Sequence, residues 1–135
     1  MSEQNNIIER IESLENRDYI IESGSNENGD WIKYNNGIMI CWKNVEGNQF
    51  ACTQKAENGF YYTDINQAEE NTKTWNFPFE FIDVPTVNVS VESNAYSSAS
   101  VGYKTKSTVV VYCVLPYPVA TTKFKWNLTA KGHWK

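Results

Sequence analysis

The feature that most constrains the fold is a two-residue alternation of apolar and polar side chains. The segment 86–92 (TVNVSVE) alternates valines with polar residues, and the segment 123–130 (KFKWNLTA) does the same with larger apolar side chains. In the second segment Phe124, Trp126 and Leu128 fall on one face. Successive side chains of a strand point to opposite faces of a sheet, so each segment is predicted to be a strand with one buried and one solvated face.

A third segment, 109–115 (VVVYCVL), is apolar on both faces. An antiparallel sheet often turns one face to water, yet the second face of this strand would carry Val110, Tyr112 and Val114. A loop or another subunit must therefore cover that face. We interpret these three residues as part of an interface between copies of the chain.

Turn signals divide the remaining sequence into short strands. Asn36-Gly37 is the strongest kind of hairpin signal, and residues 57–59 (ENG) predict a second hairpin. Residues 93–103 (SNAYSSASVGY) are predicted to form a loop. Short strands at this spacing are typical of an antiparallel β-sandwich, which we place at residues 18–135.

The many aromatic side chains suit either an interface or sugar-binding surface or the core of a β-domain. Trp42 is predicted to point inward together with Ile38 and Ile40. The segment 77–85 (FPFEFIDVP) contains two prolines, which cannot donate hydrogen bonds to a neighbouring strand. It is therefore predicted to be a rigid lead-in to an edge strand, with its phenylalanines packed into the core.

The N-terminal residues predict a short amphipathic helix. Ile7, Ile11 and Leu14 are spaced by four and three residues, with charged residues between them, which is the spacing of an apolar seam. Since so short a helix is marginal alone, the seam must dock on its own domain or on other copies in a coiled coil. The seam ends where the first strand begins, so we favour a stalk at residues 1–17 and expect a parallel homotrimer.

The charge distribution limits the classes of partner. The net charge is -4, but six lysines and no acidic residue follow Glu92. We interpret lysines such as Lys123 and Lys125 as protection of a solvated strand edge, with a surface for anionic glycans or phosphates as the alternative. Nucleic acid is not an expected partner, because arginine is absent beyond position 17. Membrane insertion is not expected either, since no apolar run approaches the length of a transmembrane helix and the polar N-terminus is unlike a signal peptide.

No motif in the sequence predicts catalysis. The chain lacks a glycine-rich phosphate loop and a Gly-x-Ser-x-Gly nucleophile motif. Cys41, Cys52 and Cys113 do not have metal-ligand spacing, and the single His133 cannot complete a zinc site with them. Cys41 and Cys113 lie in apolar runs and are predicted to be buried thiols, which suits a reducing cytosol. We therefore expect a protein that is not an enzyme and that uses no cofactor or metal.

Three segments of the sequence resemble the C-terminal domains of bacteriophage tail-fibre and related tail proteins. They are DYIIESGSNENGDWIKYNNGIMICW (18–42), WNFPFEFIDVPTVNVSV (75–91) and FKWNLTAKGHWK (124–135). The matching positions are aromatic and turn residues rather than catalytic ones, and together they span about residues 17–135. The resemblance implies a homotrimeric β-sandwich at the tip of a fibre, which attaches to a glycan on the host surface.

The pattern F-x-F-x-x-x-P-x-V-x-V at residues 79–89, together with a late W-x-hydrophobic-x-A strand, is also similar to the H-type lectins. That resemblance implies a six-stranded sandwich that trimerises and binds sugars between protomers. A single Pro85 stands where those lectins usually have a pair of prolines. The sugar contacts of the lectins cannot be matched residue by residue, so no glycan specificity is carried over.

The resemblance implies a component of the virion tail, assembled in the cytoplasm of the bacterial host. The implied partners are other copies of the chain, a host cell-surface glycan or polysaccharide, and other tail proteins. The alternatives are a purely structural trimerisation or capping module, a minor baseplate component, and a free-standing H-type lectin.

Aromatic faces and polar side chains in loops are the groups that would bind a sugar. The first candidate set lies in the predicted loop 93–103, and the second lies in the segment YYTD. The candidate residues are Asn94, Tyr96 and Tyr103 in the first set, and Tyr61, Tyr62 and Asp64 in the second.

Overall fold

The computed structural model describes residues 3–15, 19–63 and 70–135 of the chain. Within these ranges one N-terminal helix is followed by strands that pair antiparallel throughout. The elements are α1 (Glu3–Glu15), β1 (Ile20–Asn26), β2 (Gly29–Tyr34), β3 (Ile38–Glu46), β4 (Phe50–Cys52), β5 (Gln54–Lys55), β6 (Tyr61–Tyr62), β7 (Thr72–Asn76), β8 (Thr86–Glu92), β9 (Ser98–Lys104), β10 (Thr108–Val114), β11 (Val119–Thr122) and β12 (Lys125–His133). The predicted all-β class with a short N-terminal helix is confirmed.

Within the described residues, the β-domain consists of two larger sheets and two short strand pairs. The larger sheet has the order β1-β2-β3-β12-β8, the smaller has the order β7-β10-β9, and the short pairs are β11-β4 and β5-β6. Both predicted hairpins are present, β2-β3 around Asn36-Gly37 and β5-β6 around residues 57–59. Gly37 and Gly59 have φ angles of 96° and 90°, a backbone conformation that glycine adopts without steric cost.

The inner faces of the two larger sheets share one hydrophobic core. From β12, Trp126 and Leu128 are buried together with the preceding Phe124, as the alternation predicts. From β10, Val109 and Val111 are buried opposite them in the same cluster. The valines of β8 also face inward, because they lie in register with the buried side chains of β12.

The three cysteines are free thiols inside this core. Burial raises the pKa of Cys41 to about 12 and that of Cys113 to about 11. The pKa of Cys52 is also raised by burial. A thiol in this environment stays protonated at neutral pH and is a poor nucleophile, so the prediction of buried thiols is confirmed.

The predicted orientation of β3 is wrong. Met39 and Cys41 point into the core and are fully buried, whereas Ile38, Ile40 and Trp42 lie half-buried on the outer face of the larger sheet. Both faces of IMICW are apolar, so the sequence pattern does not distinguish inside from outside. The pairing of β3 decides it, because Cys41 lies opposite the buried Ala130 of β12.

The segment 77–85 leads into an edge strand as predicted, because it runs as an irregular connection from β7 to β8, the last strand of the larger sheet. Phe77 and Phe81 are buried and pack edge-to-face with ring centroids 5.2 Å apart. Phe79 is 39% exposed and does not enter the core. The ammonium of Lys33 instead lies over its ring in a cation–π contact, 3.2 Å from the ring centroid.

The predicted loop 93–103 is shorter than expected, since its second half is strand β9. Ala99 and Val101 pack against the core, and they lie in register with Cys113 and Val111 of β10. Serines and small side chains made this strand resemble a loop in the sequence. Its side chains nevertheless alternate between exposed and half-buried positions. Pairing with β10 stabilises the segment as a strand although its own alternation is weak.

The outer face of β10 is only partly exposed in a single chain. Val110 and Val114 are half-buried, and Tyr112 is exposed. The Tyr112 ring lies so close to Gly102 that a Cβ atom at position 102 would clash with it. Part of this apolar face is thus covered from within the chain, by an aromatic ring packed over a glycine of the neighbouring strand.

The opposite orientations of two tryptophans give a direct test of the sheet assignment. Replacing the buried Trp126 by alanine should lower the free energy of unfolding by about 3–5 kcal/mol, because it removes an aromatic side chain from the packed core. Trp42→Ala, on the outer face, should lower the free energy of unfolding of the isolated chain by about 1 kcal/mol. Urea unfolding monitored by circular dichroism measures both values. Equal costs for the two variants would contradict the inward and outward faces described above.

Candidate functional site

Two adjoining depressions in the surface meet at Ser93 and Asn94, directly after β8. We call the first the aromatic pocket; it has a volume of about 470 Å³ and is lined by Ser93, Asn94, Ala95, Tyr96 and Tyr117. We call the second the charged pocket; it has a volume of about 440 Å³ and is lined by Glu46, Gln49, Glu92, Ser93, Asn94, Thr121, Thr122, Lys123 and Lys125. Together they form one groove.

Asn94 fixes the turn at the centre of the groove. Its Nδ2 donates a hydrogen bond to the Thr121 carbonyl oxygen at 3.1 Å, and its Oδ1 accepts one from the Thr122 hydroxyl at 2.6 Å. An asparagine amide has two N–H donors and an oxygen with two lone pairs. With respect to the described residues, one donor and one acceptor site of Asn94 therefore remain for a ligand.

Two tyrosines form the wall of the aromatic pocket. Tyr96 is 81% exposed, and its backbone N–H donates a hydrogen bond to the Tyr117 hydroxyl oxygen at 3.1 Å. The two rings meet edge-to-face, with centroids 6.5 Å apart and an interplanar angle of 86°. Pro116 and Pro118 flank Tyr117, and the fixed φ of proline limits the backbone on both sides of it. The result is a pre-formed aromatic corner open to solvent.

A row of alternating charges crosses the charged pocket. Lys125 lies in register with Glu46 of β3 on one side and with Glu92 of β8 on the other. Lys123 Nζ lies 2.7 Å from Glu46 Oε1, and this hydrogen bond and ion pair hold the pKa of Glu46 below its ordinary value. The Lys125–Glu92 pair is longer, at 3.9 Å.

The prediction that Lys123 and Lys125 protect a strand edge is therefore wrong. Lys125 begins β12, which lies between β3 and β8 in the larger sheet, and Lys123 lies in the connection from β11 to β12, so neither stands on an edge strand of that sheet. The glutamates that accompany them come from two other strands. Local sequence could not show that pairing, because Glu46 and Glu92 are far from position 125 along the chain.

Glu70 positions the loop that closes one side of the charged pocket. Its carboxylate accepts hydrogen bonds from the Asn48 backbone N–H at 3.0 Å and from the Asn48 side-chain Nδ2 at 3.3 Å. Lys73 Nζ lies 3.7 Å from the same carboxylate. These contacts hold the loop between β3 and β4, which places Gln49 against the groove.

The structure brings together only part of the predicted sugar-binding sets. Asn94 and Tyr96 both line the groove. Tyr103 is 71% exposed on β9 and lines neither of its pockets. Of the second set, Tyr61 and Tyr62 line neither pocket. Tyr61 is half-buried against the core, Tyr62 is exposed on β6, and Asp64 lies outside the described residues.

Tyr117 lines the groove but is not among the residues predicted from the sequence. A signal for it existed, since a tyrosine between two prolines cannot continue the preceding strand and must stand at a turn. The charged residues of the pocket had no such signal, because their juxtaposition depends on the order of strands in the sheet.

Over residues 3–15, 19–63 and 70–135, no group of three or more His, Cys, Asp or Glu side chains is placed to hold a metal ion. Across the same part of the chain, no helix has both the length and the apolar character needed to cross a bilayer.

Asn94 and Tyr96 are neighbours in the groove but should differ in their effect on stability. Asn94→Ala removes two hydrogen bonds that tie the turn to β11 and should lower the free energy of unfolding by about 1–3 kcal/mol. Tyr96→Ala removes an exposed ring and should change it by less than about 0.5 kcal/mol. Chemical denaturation of both variants measures these values. A large loss at Tyr96 would mean that its ring packs into the fold and does not stand free.

No protein-family model and no curated protein sequence matches the chain. Solved structures of pyocin tail fibres share its fold. The N-truncated R1-type pyocin tail fiber aligns with a TM-score of 0.57 at 12% sequence identity, over 98% of this chain and 98% of that one. A C-terminal portion of the P. aeruginosa R2 pyocin fiber aligns with a TM-score of 0.50 at 15% identity, over 84% of this chain and 26% of the other. The chain thus spans about a quarter of the R2 structure, and at these identities the likeness is one of fold.

Proposed function

We propose that the chain is the tip domain of a tail fibre from a bacteriophage or phage-tail-like particle. In this role it attaches the particle to a bacterial surface and catalyses no reaction. The observation that carries the proposal is the fold shared with the R1-type pyocin tail fiber over 98% of both chains. The resemblance of three sequence segments to tail-fibre domains points the same way.

Glycan binding in the groove is the attachment mechanism that its chemistry supports best. The rings of Tyr96 and Tyr117 offer apolar faces against which the C–H surface of a sugar ring can pack. Next to them, Asn94 retains one donor and one acceptor site for sugar hydroxyls. An open groove offers few contacts to one sugar unit, so a single site should be weak, and several sites on one particle would add avidity.

The homotrimer remains part of the proposal, supported by apolar surface that a single chain leaves open. Ile7, Ile8 and Ile11 are each about half exposed on α1. Within the described residues the helix makes no extensive contact with any strand. A 13-residue helix is marginal in water on its own, and a parallel coiled coil would bury these side chains. Leu14 belongs to the same helix.

The proposed interface within the β-domain has two candidate faces. The sequence points to Val110, Tyr112 and Val114 on the outer face of β10. The outer face of β3 is also apolar, since it carries Ile40 and Trp42. Apolar side chains on an outer sheet face are what a contact between subunits would bury.

Light scattering on the full chain should report the mass of a trimer at micromolar concentration. Replacing both Ile7 and Ile11 by asparagine should shift the equilibrium toward monomer, because each asparagine removes an apolar side chain from the seam. Glu9→Gln, on a different side of the same helix, is the matched control and should leave the mass unchanged. A monomer for the unmodified chain would reject the trimer. A trimer that survives the double replacement would place the main interface in the β-domain.

Binding to host cells should depend on the aromatic pocket. The double variant Tyr96→Ala/Tyr117→Ala should lose binding of labelled protein to cells or to purified envelope polysaccharide. Tyr62→Ala and Tyr103→Ala remove exposed tyrosines elsewhere and serve as controls that keep binding. Free monosaccharide should compete only at about millimolar concentration, which corresponds to about -4 kcal/mol for one site.

Loss of binding in the Tyr103→Ala control, with binding intact in the double variant, would move the site to β9. A protein that binds no cell and no polysaccharide would favour the second candidate function, a purely structural trimerisation or capping module or a minor baseplate component. The apolar outer faces of β3 and β10 are the observation on which that alternative rests. The free-standing lectin alternative rests on the sequence pattern at residues 79–89.

A further inference from the structure

We infer that the groove selects neutral, hydroxyl-rich glycans over glycans that carry a carboxylate, a phosphate or a free amine. This inference rests on the proposed function, because it names the class of ligand that the same groove would take. It is drawn from the charged pocket, whose four ionic side chains have a net charge of zero. The four are Glu46, Glu92, Lys123 and Lys125.

The order of strands alternates the sign of charge across the pocket. Lys125 stands directly between Glu46 and Glu92, because β12 lies between β3 and β8 and the three residues are in register. Residues directly opposite each other on neighbouring antiparallel strands have Cβ atoms about 4.5–5.5 Å apart. A charged group that approaches any one member of the row therefore also approaches its oppositely charged neighbours.

Lys125 and Glu92 are the members of the row with capacity for a ligand. Their separation of 3.9 Å is longer than a hydrogen bond. Within the described part of the chain, the ammonium of Lys125 has this ion pair and no hydrogen bond. Glu92 Oε2 accepts a hydrogen bond from Asn127 Nδ2 at 3.2 Å, while its Oε1 accepts none from the described residues. By contrast, Lys123 and Glu46 are joined at 2.7 Å.

A sugar hydroxyl satisfies both open groups, since it can accept from Lys125 and donate to Glu92. A carboxylate or phosphate on the ligand could pair with Lys125 but would lie beside Glu46 and Glu92. A protonated amine could pair with Glu92 but would meet Lys125. Placing like charges side by side in a binding site opposes binding, so both charged classes are disfavoured relative to the neutral one.

The aromatic pocket extends the same preference to a second sugar unit. It adjoins the charged pocket at Ser93 and Asn94, and none of the described residues that line it is charged. A neutral sugar packed on Tyr96 or Tyr117 could thus continue into the charged pocket through the free hydrogen-bonding positions of Asn94. The groove fits a chain of at least two neutral units.

The test is an array of matched oligosaccharides probed with the labelled full chain. Each set holds a neutral hexose oligosaccharide and its counterparts with a uronic acid, a phosphate ester or a free amino group. We expect the neutral members to bind at least about tenfold more tightly than the charged members. Equal or tighter binding of the acidic or amino members would overturn the inference and leave the proposed glycan attachment intact. Binding of no glycan of any class would overturn both.

A double variant should remove the predicted selectivity against acidic ligands. Glu46→Gln/Glu92→Gln removes both carboxylates and leaves the two lysines, so the acidic members should gain at least about tenfold in affinity. That gained binding should weaken as salt is added, because the interaction is between exposed charges. Glu57→Gln removes an exposed carboxylate at the β5-β6 turn, outside the groove, and should leave the preference unchanged. An unaltered preference in the double variant would overturn the inference.

Discussion

The central position of β12 is the constraint on which the rest of the structure depends. This strand pairs with β3 along one edge and with β8 along the other, so residues from distant parts of the sequence become neighbours in one sheet. Its inward residues Trp126, Leu128 and Ala130 are buried in the core. Burial of this apolar face supplies the main driving force for the pairing. The register then decides on which face of the sheet each side chain of the three strands lies.

The aromatic core continues outward from β12 through edge-to-face contacts. Phe124 packs against Trp126 with ring centroids 5.9 Å apart and against Phe50 at 4.9 Å. On the other side of the core, Trp75 and Phe77 pack at 5.0 Å. Such pairs add directional packing to the area they bury. Backbone hydrogen bonds also hold the irregular segment after β7, from the Phe81 N–H to the Lys106 carbonyl oxygen at 3.0 Å and from the Ile82 N–H to the His133 carbonyl oxygen at 2.9 Å.

The groove is a consequence of the same strand order. The register that buries Trp126 places Lys125 on the outer face, between the ends of β3 and β8, where Glu46 and Glu92 flank it. The turn that follows β8 carries Asn94 and Tyr96, and Asn94 ties that turn to β11. Core and groove are therefore coupled through a single strand. The buried face of β12 provides stability, and its outer face provides the charge pattern that a ligand would meet.

The sequence by itself determined the class of the fold and many of its elements. Alternation of apolar and polar residues predicted β8 and β12, and Asn36-Gly37 predicted the first hairpin. The apolar seam predicted α1. Each of these signals is local and strong. The sequence also identified Asn94 and Tyr96 as candidates, since exposed amide and aromatic residues in a loop are chemically recognisable.

Tertiary structure decided what local pattern left open. Both faces of β3 are apolar, so only its pairing with β12 placed Met39 and Cys41 inside and Trp42 outside. The charged pocket likewise exists because strands distant in sequence lie side by side, and Tyr117 joins Tyr96 only through the return of the chain after β10. The physical reason is that periodicity specifies which residues share a face of a strand, whereas burial and pairing across the whole sheet select which face becomes the core.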